Sequence, residues 1–123
     1  MIALDSSAWL AIFQREKNEK VFLDAVSHAD EVCVPAPCFY EVYRRLRHST
    51  GAEEVATNAV MSMAWYGSAP LDCDTASFAA RIPDAGALSA CDRFIYAIAQ
   101  QQDATLWTQD KHFALLPGVQ YVG

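Results

Sequence analysis

The stretch IALDSSAWLAIF, residues 2–13, passes in one step from a short apolar run to an acid, two serines and an apolar helical pattern. Ile2–Leu4 reads as a strand and Ala8–Phe13 as a helix, with Asp5 at the junction. Outward from this unit the alternation repeats. Further strands are expected at Glu31–Val34, Ala69–Leu71, Ala104–Trp107 and Val119–Val122. Helices are expected at Asn18–Ala29, Pro37–His48, Ala52–Tyr66, Thr75–Arg81 and Ser89–Gln102. Pro35, Pro37, Gly51, Gly67, Pro83 and Gly86 punctuate these segments as breakers. Strands alternating with helices imply an α/β fold with a parallel sheet covered on both faces.

The chain of 123 residues suits one domain with a core that needs no staples. Apolar residues make up 53% and charged residues 20%, as in ordinary globular proteins, and no apolar run reaches the length of a membrane span. The N-terminus lacks the basic and apolar regions of a signal peptide, so a cytoplasmic location is expected. Cys33, Cys38, Cys73 and Cys91 show no C-x-x-C pair and read as buried free thiols. A net charge of −6 gives no long-range pull on nucleic acid. Metal ions can nevertheless bridge an acidic site to phosphates.

In parallel α/β sheets ligands bind beyond the carboxyl ends of the strands, where the strand order reverses. Asp5 and Asp110 each follow a strand and fall at that edge. Capping offers each a purely structural role: Asp5 with Ser6 and Ser7 for the first helix, Asp110 for the short segment after it. Asp92 sits in Ser89-Ala90-Cys91-Asp92, a capping-box pattern, yet it also lies beside the apolar stripe of Ile95, Tyr96 and Ala99. Glu41 points away from the apolar face of Phe39, Val42, Tyr43 and Leu46, where an ion pair with Arg45 at i+4 would account for it. Together the four acids can form a carboxylate cluster, which repels itself unless a hard cation such as Mg²⁺ or Mn²⁺ is bound. Metal-assisted phosphodiester hydrolysis is the chemistry of such a site.

The order and surroundings of these acids resemble a PIN domain, and the compact length is similar to the VapC-type toxin ribonucleases. The segments that carry the resemblance are IALDSSAWLAIF, VPAPCFYEVYRRL, GALSACDRFIYAIA and LWTQDKHFALLPGVQYV, with the T-x-D-x-x-F pattern of Thr108 to Phe113 the most specific. It implies a three-layer α/β/α sandwich with a central, mostly parallel five-stranded sheet, as a single domain over residues 1–123. It implies a Mg²⁺- or Mn²⁺-dependent endoribonuclease in which Asp5, Glu41, Asp92 and Asp110 hold the metal and carry catalysis. Thr108 and Ser6 would orient those acids. It further implies an RNA substrate, usually single-stranded or exposed in a loop, cut to 5′-phosphate and 3′-hydroxyl ends, a VapB-like antitoxin partner and a homodimer.

Two positions depart from the family pattern. His112 stands where many relatives have another acid, and Tyr96 stands where a small residue is common. Asp74 reads as the cap of the helix at Thr75, beyond a third strand expected at a sheet edge. Arg44 and Arg47 share one side of their helix, either as phosphate contacts or as a solvated face. Trp9, Phe13, Trp65 and Tyr66 are candidates for an apolar groove that receives the antitoxin, with core packing as their other use. A haloacid-dehalogenase-like phosphatase would need an acid at the place of Ser7, and a receiver domain a well-placed late lysine. Neither explains Glu41 and Asp92 together. A catalytically degenerate PIN-like binding module is the remaining alternative.

Overall fold

The computed structural model describes residues 1–83 and 88–123. Gly86, one of the expected breakers, lies outside the described residues. The elements are β1 (Ile2–Leu4), α1 (Ser6–Phe13), α2 (Glu19–His28), β2 (Val32–Pro35), α3 (Ala36–Thr50), α4 (Glu53–Ala64) and β3 (Ser68–Ala69). After these come α5 (Cys73–Ala80), α6 (Ala90–Gln101), β4 (Thr105–Thr108), a single 3₁₀ turn at Lys111–Phe113 and β5 (Val119–Tyr121).

The strands form one five-stranded sheet in the order β3-β2-β1-β4-β5, and every pairing is parallel. From β1 the chain steps outward through β2 to β3, then returns across the sheet to β4 and β5. With right-handed crossovers this reversal sends α1–α4 to one face and α5–α6 to the other, the three-layer arrangement expected. Leu4, Val34 and Leu106 are fully buried on the central strands, as two-sided covering requires. Beneath the helices, Phe22, Val42, Leu46, Met63 and Ile95 fill the core.

Most expected segments fall within a few residues of their observed bounds. The third strand is the clearest shift: it ends at Ala69, because Pro70 has no N–H to continue a ladder. Its place at the sheet edge is as expected. The cap of α5 is Asp72, not Asp74; the Asp72 carboxylate accepts from the Thr75 N–H at 2.9 Å, while Asp74 lies inside the first turn. Extended φ and ψ at Asp72 suit a cap, and the N–H three residues on comes within its reach. All four cysteines are free, but only Cys33 and Cys38 are buried as expected; Cys91 is half-buried and Cys73 exposed. Gly51 closes α3 at φ 68°, and its N–H returns to the Arg47 carbonyl. Among the described residues no helix is long and apolar enough to cross a membrane.

Candidate active site

Reversal of strand order between β1 and β4 opens a crevice at their carboxyl ends. Asp5 leaves β1 there, its N–H still held by the Trp107 carbonyl of β4 at 3.1 Å. Its side chain caps α1: Oδ1 accepts from the Ala8 N–H at 2.9 Å and from Ser7 Oγ at 2.8 Å. Oδ2 accepts from Thr108 Oγ1 at 2.6 Å. Only 3% of Asp5 is exposed, and among the described residues no basic side chain pairs with it. Burial pushes its pKa from 3.8 up to about 6 despite those hydrogen bonds, and the nearby charge of Asp110 adds to the rise. A buried carboxylate balanced only by neutral donors is poised for a cation.

Thr108 ends β4 and is fully buried. Its hydroxyl donates to Asp5 and accepts from the Asp110 N–H at 2.9 Å, so it ties two acids together. Asp110 in turn caps the 3₁₀ turn, where its Oδ1 accepts from the His112 N–H at 3.0 Å. His112 folds back, with Nδ1 also 3.0 Å from Asp110 Oδ1. Thr108→Val keeps the shape but strips Asp5 of a donor and Asp110 of an acceptor. We expect a loss of about 1–3 kcal/mol in urea unfolding, largely restored by Thr108→Ser.

Glu41 and Asp92 reach the crevice from helices. The Glu41–Arg45 ion pair does not form; Glu41 Oε1 instead accepts from Ser6 Oγ at 2.6 Å. The start of α1 packs against α3 at this point, so Glu41 itself is half-buried, while Arg45 and His48 further along the same side of the helix stay exposed. The capping box of Asp92 is present: its N–H is held by Ser89 Oγ at 3.1 Å, and its carboxylate accepts from the Ser89 N–H at 3.3 Å. Partial burial, with the charges of Asp110 and Glu41 beside it, raises the Asp92 pKa. Capping and facing the crevice thus coexist in one side chain, as they do for Asp5 and Asp110.

All four acids border one cleft of about 1230 Å³. Among the described residues, however, no three Asp, Glu, His or Cys side chains stand together closely enough to cage an ion, so the expected tight cluster is looser than expected. Each carboxylate is fixed by its own hydroxyl or N–H donors, and mutual repulsion works against closer approach. Mg²⁺ is nonetheless suited to such a donor set, because it keeps several waters and uses one or two carboxylates. The thiols nearby do not compete. Burial drives the Cys38 thiol well above its ordinary pKa, and burial with the Glu41 charge lifts Cys91 to about 12, so both remain protonated.

Sequence reasoning gave Ser7 only a capping role, whereas it also links Asp5, Thr108 and the Gln109 N–H. It gave Cys91 no place at the site, though the residue precedes Asp92 and lies against Glu41. Tyr96, the departure from the family pattern, is buried and donates to the Pro117 carbonyl at 2.6 Å. It therefore ties α6 to the loop before β5.

A family model described as the PIN domain matches residues 2–119. No curated protein matches the sequence. The fold is similar to a toxin–antitoxin complex from Klebsiella pneumoniae, at a TM-score of 0.81 and 20% identity over 98% of this chain and 96% of that one. It is also similar to VapC20 of Mycobacterium tuberculosis, a sarcin–ricin-loop-cleaving toxin, at 0.77 and 16% over 95% of both chains. VapBC2 of Rickettsia felis, bound to a promoter DNA fragment, aligns at 0.78 and 13% over 100% of both.

Proposed function

The chain belongs to the PIN domain family, and on that premise we propose that it is a divalent-metal-dependent endoribonuclease, the toxin of a toxin–antitoxin pair. The observation that carries this reading is the meeting of Asp5, Glu41, Asp92 and Asp110 on one cleft at the switch point of the sheet. These four side chains would hold Mg²⁺ or Mn²⁺. When bound, such an ion lowers the pKa of a water and stabilises the leaving oxygen. The Thr108 hydroxyl would orient Asp5, and the Ser6 hydroxyl would orient Glu41. One of these carboxylates would also take the proton from water, and Asp92, only half-buried at the start of α6, is open to it. Attack at phosphorus with departure of the 3′-oxygen leaves a 5′-phosphate and a 3′-hydroxyl.

Purified protein should cleave RNA with Mg²⁺ or Mn²⁺, and excess EDTA should abolish the new 5′-phosphate ends. Full cleavage in EDTA would overturn the metal mechanism, and no cleavage of any cellular RNA would favour the degenerate binding module.

Arg44 and Arg47 line the same cleft and are proposed as phosphate contacts. Arg47 already meets Glu53 at 3.5 Å in an exposed ion pair, so Arg44 carries more of this role. In the Arg44→Ala/Arg47→Ala variant the slope of log affinity for single-stranded RNA against log salt should flatten by about 0.7–1.4. An unchanged slope would leave both as surface charges.

Several of the similar structures are toxin–antitoxin complexes, which supports an antitoxin partner. Trp9, Phe13, Trp65 and Tyr66 line one apolar groove of about 530 Å³ between α1, α2 and α4, and it is proposed as the antitoxin's seat. Trp65 is 90% exposed, whereas Trp9 is buried and stacks on Phe13 at 6.1 Å, so the four divide between surface and core.

A further inference from the structure

We propose that Tyr40 is a stacking platform for an unpaired nucleobase flanking the scissile phosphate; this rests on the ribonuclease reading above and adds a residue that positions the substrate. Tyr40 directly precedes Glu41 on α3, yet its side chain is held by nothing comparable. It is 65% exposed, while Phe39, Val42 and Tyr43 around it are buried or half-buried. Among the described residues it takes part in no ring–ring contact, unlike Trp9 with Phe13 and Tyr66. An aromatic ring left this open beside an acidic crevice is available to a flat ligand.

The two walls of the cleft say which ligand. Tyr40, Arg44 and Arg47 recur at i, i+4 and i+7 and share one side of α3. Arg44 and Arg45 make no ion pair among the described residues. The facing wall holds Gln14, Glu16 and Gln109, with Gln109 Nε2 donating to Glu16 Oε1 at 2.9 Å, and it contributes no cation. An anionic strand entering the cleft must therefore follow α3, with phosphates at the arginines and a base over Tyr40. Aromatic rings interleaved with basic residues are the recurring device for single strands, because every base has a π-face. Bases of a duplex are stacked on their neighbours and cannot use such a ring.

The test uses a single-stranded RNA 12-mer carrying 2-aminopurine at successive positions, bound to the full chain in Ca²⁺. In the wild type, fluorescence should be quenched at one position, and Tyr40→Ala should remove the quench and weaken binding about 5–100-fold. Tyr40→Phe and Tyr40→Trp should bind within about threefold of wild type, since the ring and not the hydroxyl acts. The salt slope of Tyr40→Ala should stay that of the wild type, because no phosphate contact is lost. The proposal is overturned if Tyr40→Ala binds as the wild type does, if Phe and Ala lose equally, if a blunt duplex of the same sequence binds as well, or if the wild type fails to bind. Binding of this kind without any Mg²⁺-dependent cleavage would instead defeat the ribonuclease reading and leave the platform standing.

Discussion

Replacing Asp5 by Asn is expected to reduce Mg²⁺-supported RNA cleavage by well over about 100-fold while making the metal-free protein more stable. Groups that merely orient a metal ligand cost about 10–100-fold when removed, and a ligand itself should cost more. The gain in stability comes from burial. A carboxyl whose pKa rises from 3.8 in the unfolded chain to about 6 in the fold opposes folding once it is charged, by about 1–3 kcal/mol at neutral pH. Asn keeps the cap on α1, because its amide oxygen still accepts from the Ala8 N–H. Its amide nitrogen faces Thr108, whose hydroxyl can turn to accept.

The pH dependence has a definite sign. Above about pH 6 the full penalty acts on the wild type; as pH falls from about 6 toward 4 the carboxyl protonates and the penalty fades. Melts in EDTA should therefore show Asp5→Asn ahead of the wild type at pH 7.5, with the gap closing toward pH 4.5. Adding Mg²⁺ should raise the wild type and leave the variant almost unmoved. A variant less stable at every pH and a wild type indifferent to Mg²⁺ would make Asp5 a simple cap.

Phe113→Ala should lower stability by about 3–5 kcal/mol, a large fraction of what a chain of this size has. Phe113 is fully buried at the end of the 3₁₀ turn that Asp110 caps. This gives the T-x-D-x-x-F spacing a physical meaning. Thr108 is the last residue of β4, Asp110 turns the chain, and Phe113 anchors the turn in the core. Without the anchor Asp110 should lose its fixed place, so Mg²⁺ should stabilise Phe113→Ala less than it does the wild type. Phe113→Leu, which refills most of the space, should cost about 1 kcal/mol. Urea unfolding of both variants with and without Mg²⁺ checks the pair; equal Mg²⁺ gains throughout would separate the anchor from the site.

Strand–helix alternation was readable because parallel strands are apolar runs and their connections carry Pro and Gly, both local signals. The strand-end logic likewise led to Asp5 and Asp110. Glu41 was harder. Its helix pattern points it toward solvent, and only the packing of α1 on α3, with Ser6 at 2.6 Å, turns that side into a wall of the crevice. Tyr40 was silent for the same reason, since one exposed ring leaves no periodic trace. The choice between Asp72 and Asp74 as cap of α5 turned on a shift of where the helix begins, a boundary that propensity does not define sharply. Spacing also could not reveal that the four acids stand apart, because it carries no distances.

The Asp5–Thr108 hydrogen bond joins the first strand to the fourth, and in an all-parallel sheet no hairpin brings these segments together early. Synthesis runs from the N-terminus, so Asp5 leaves the ribosome long before its partner. Until β4 slides in beside β1, Asp5 has only its local donors, Ser7 and the Ala8 N–H, with no Thr108 hydroxyl, no fixed Asp110 and no crevice between the strands. A nascent chain, or one broken off anywhere before β4, therefore holds only half a centre. The proposed site is complete in a given chain only once its fourth strand has been made and has paired with the first.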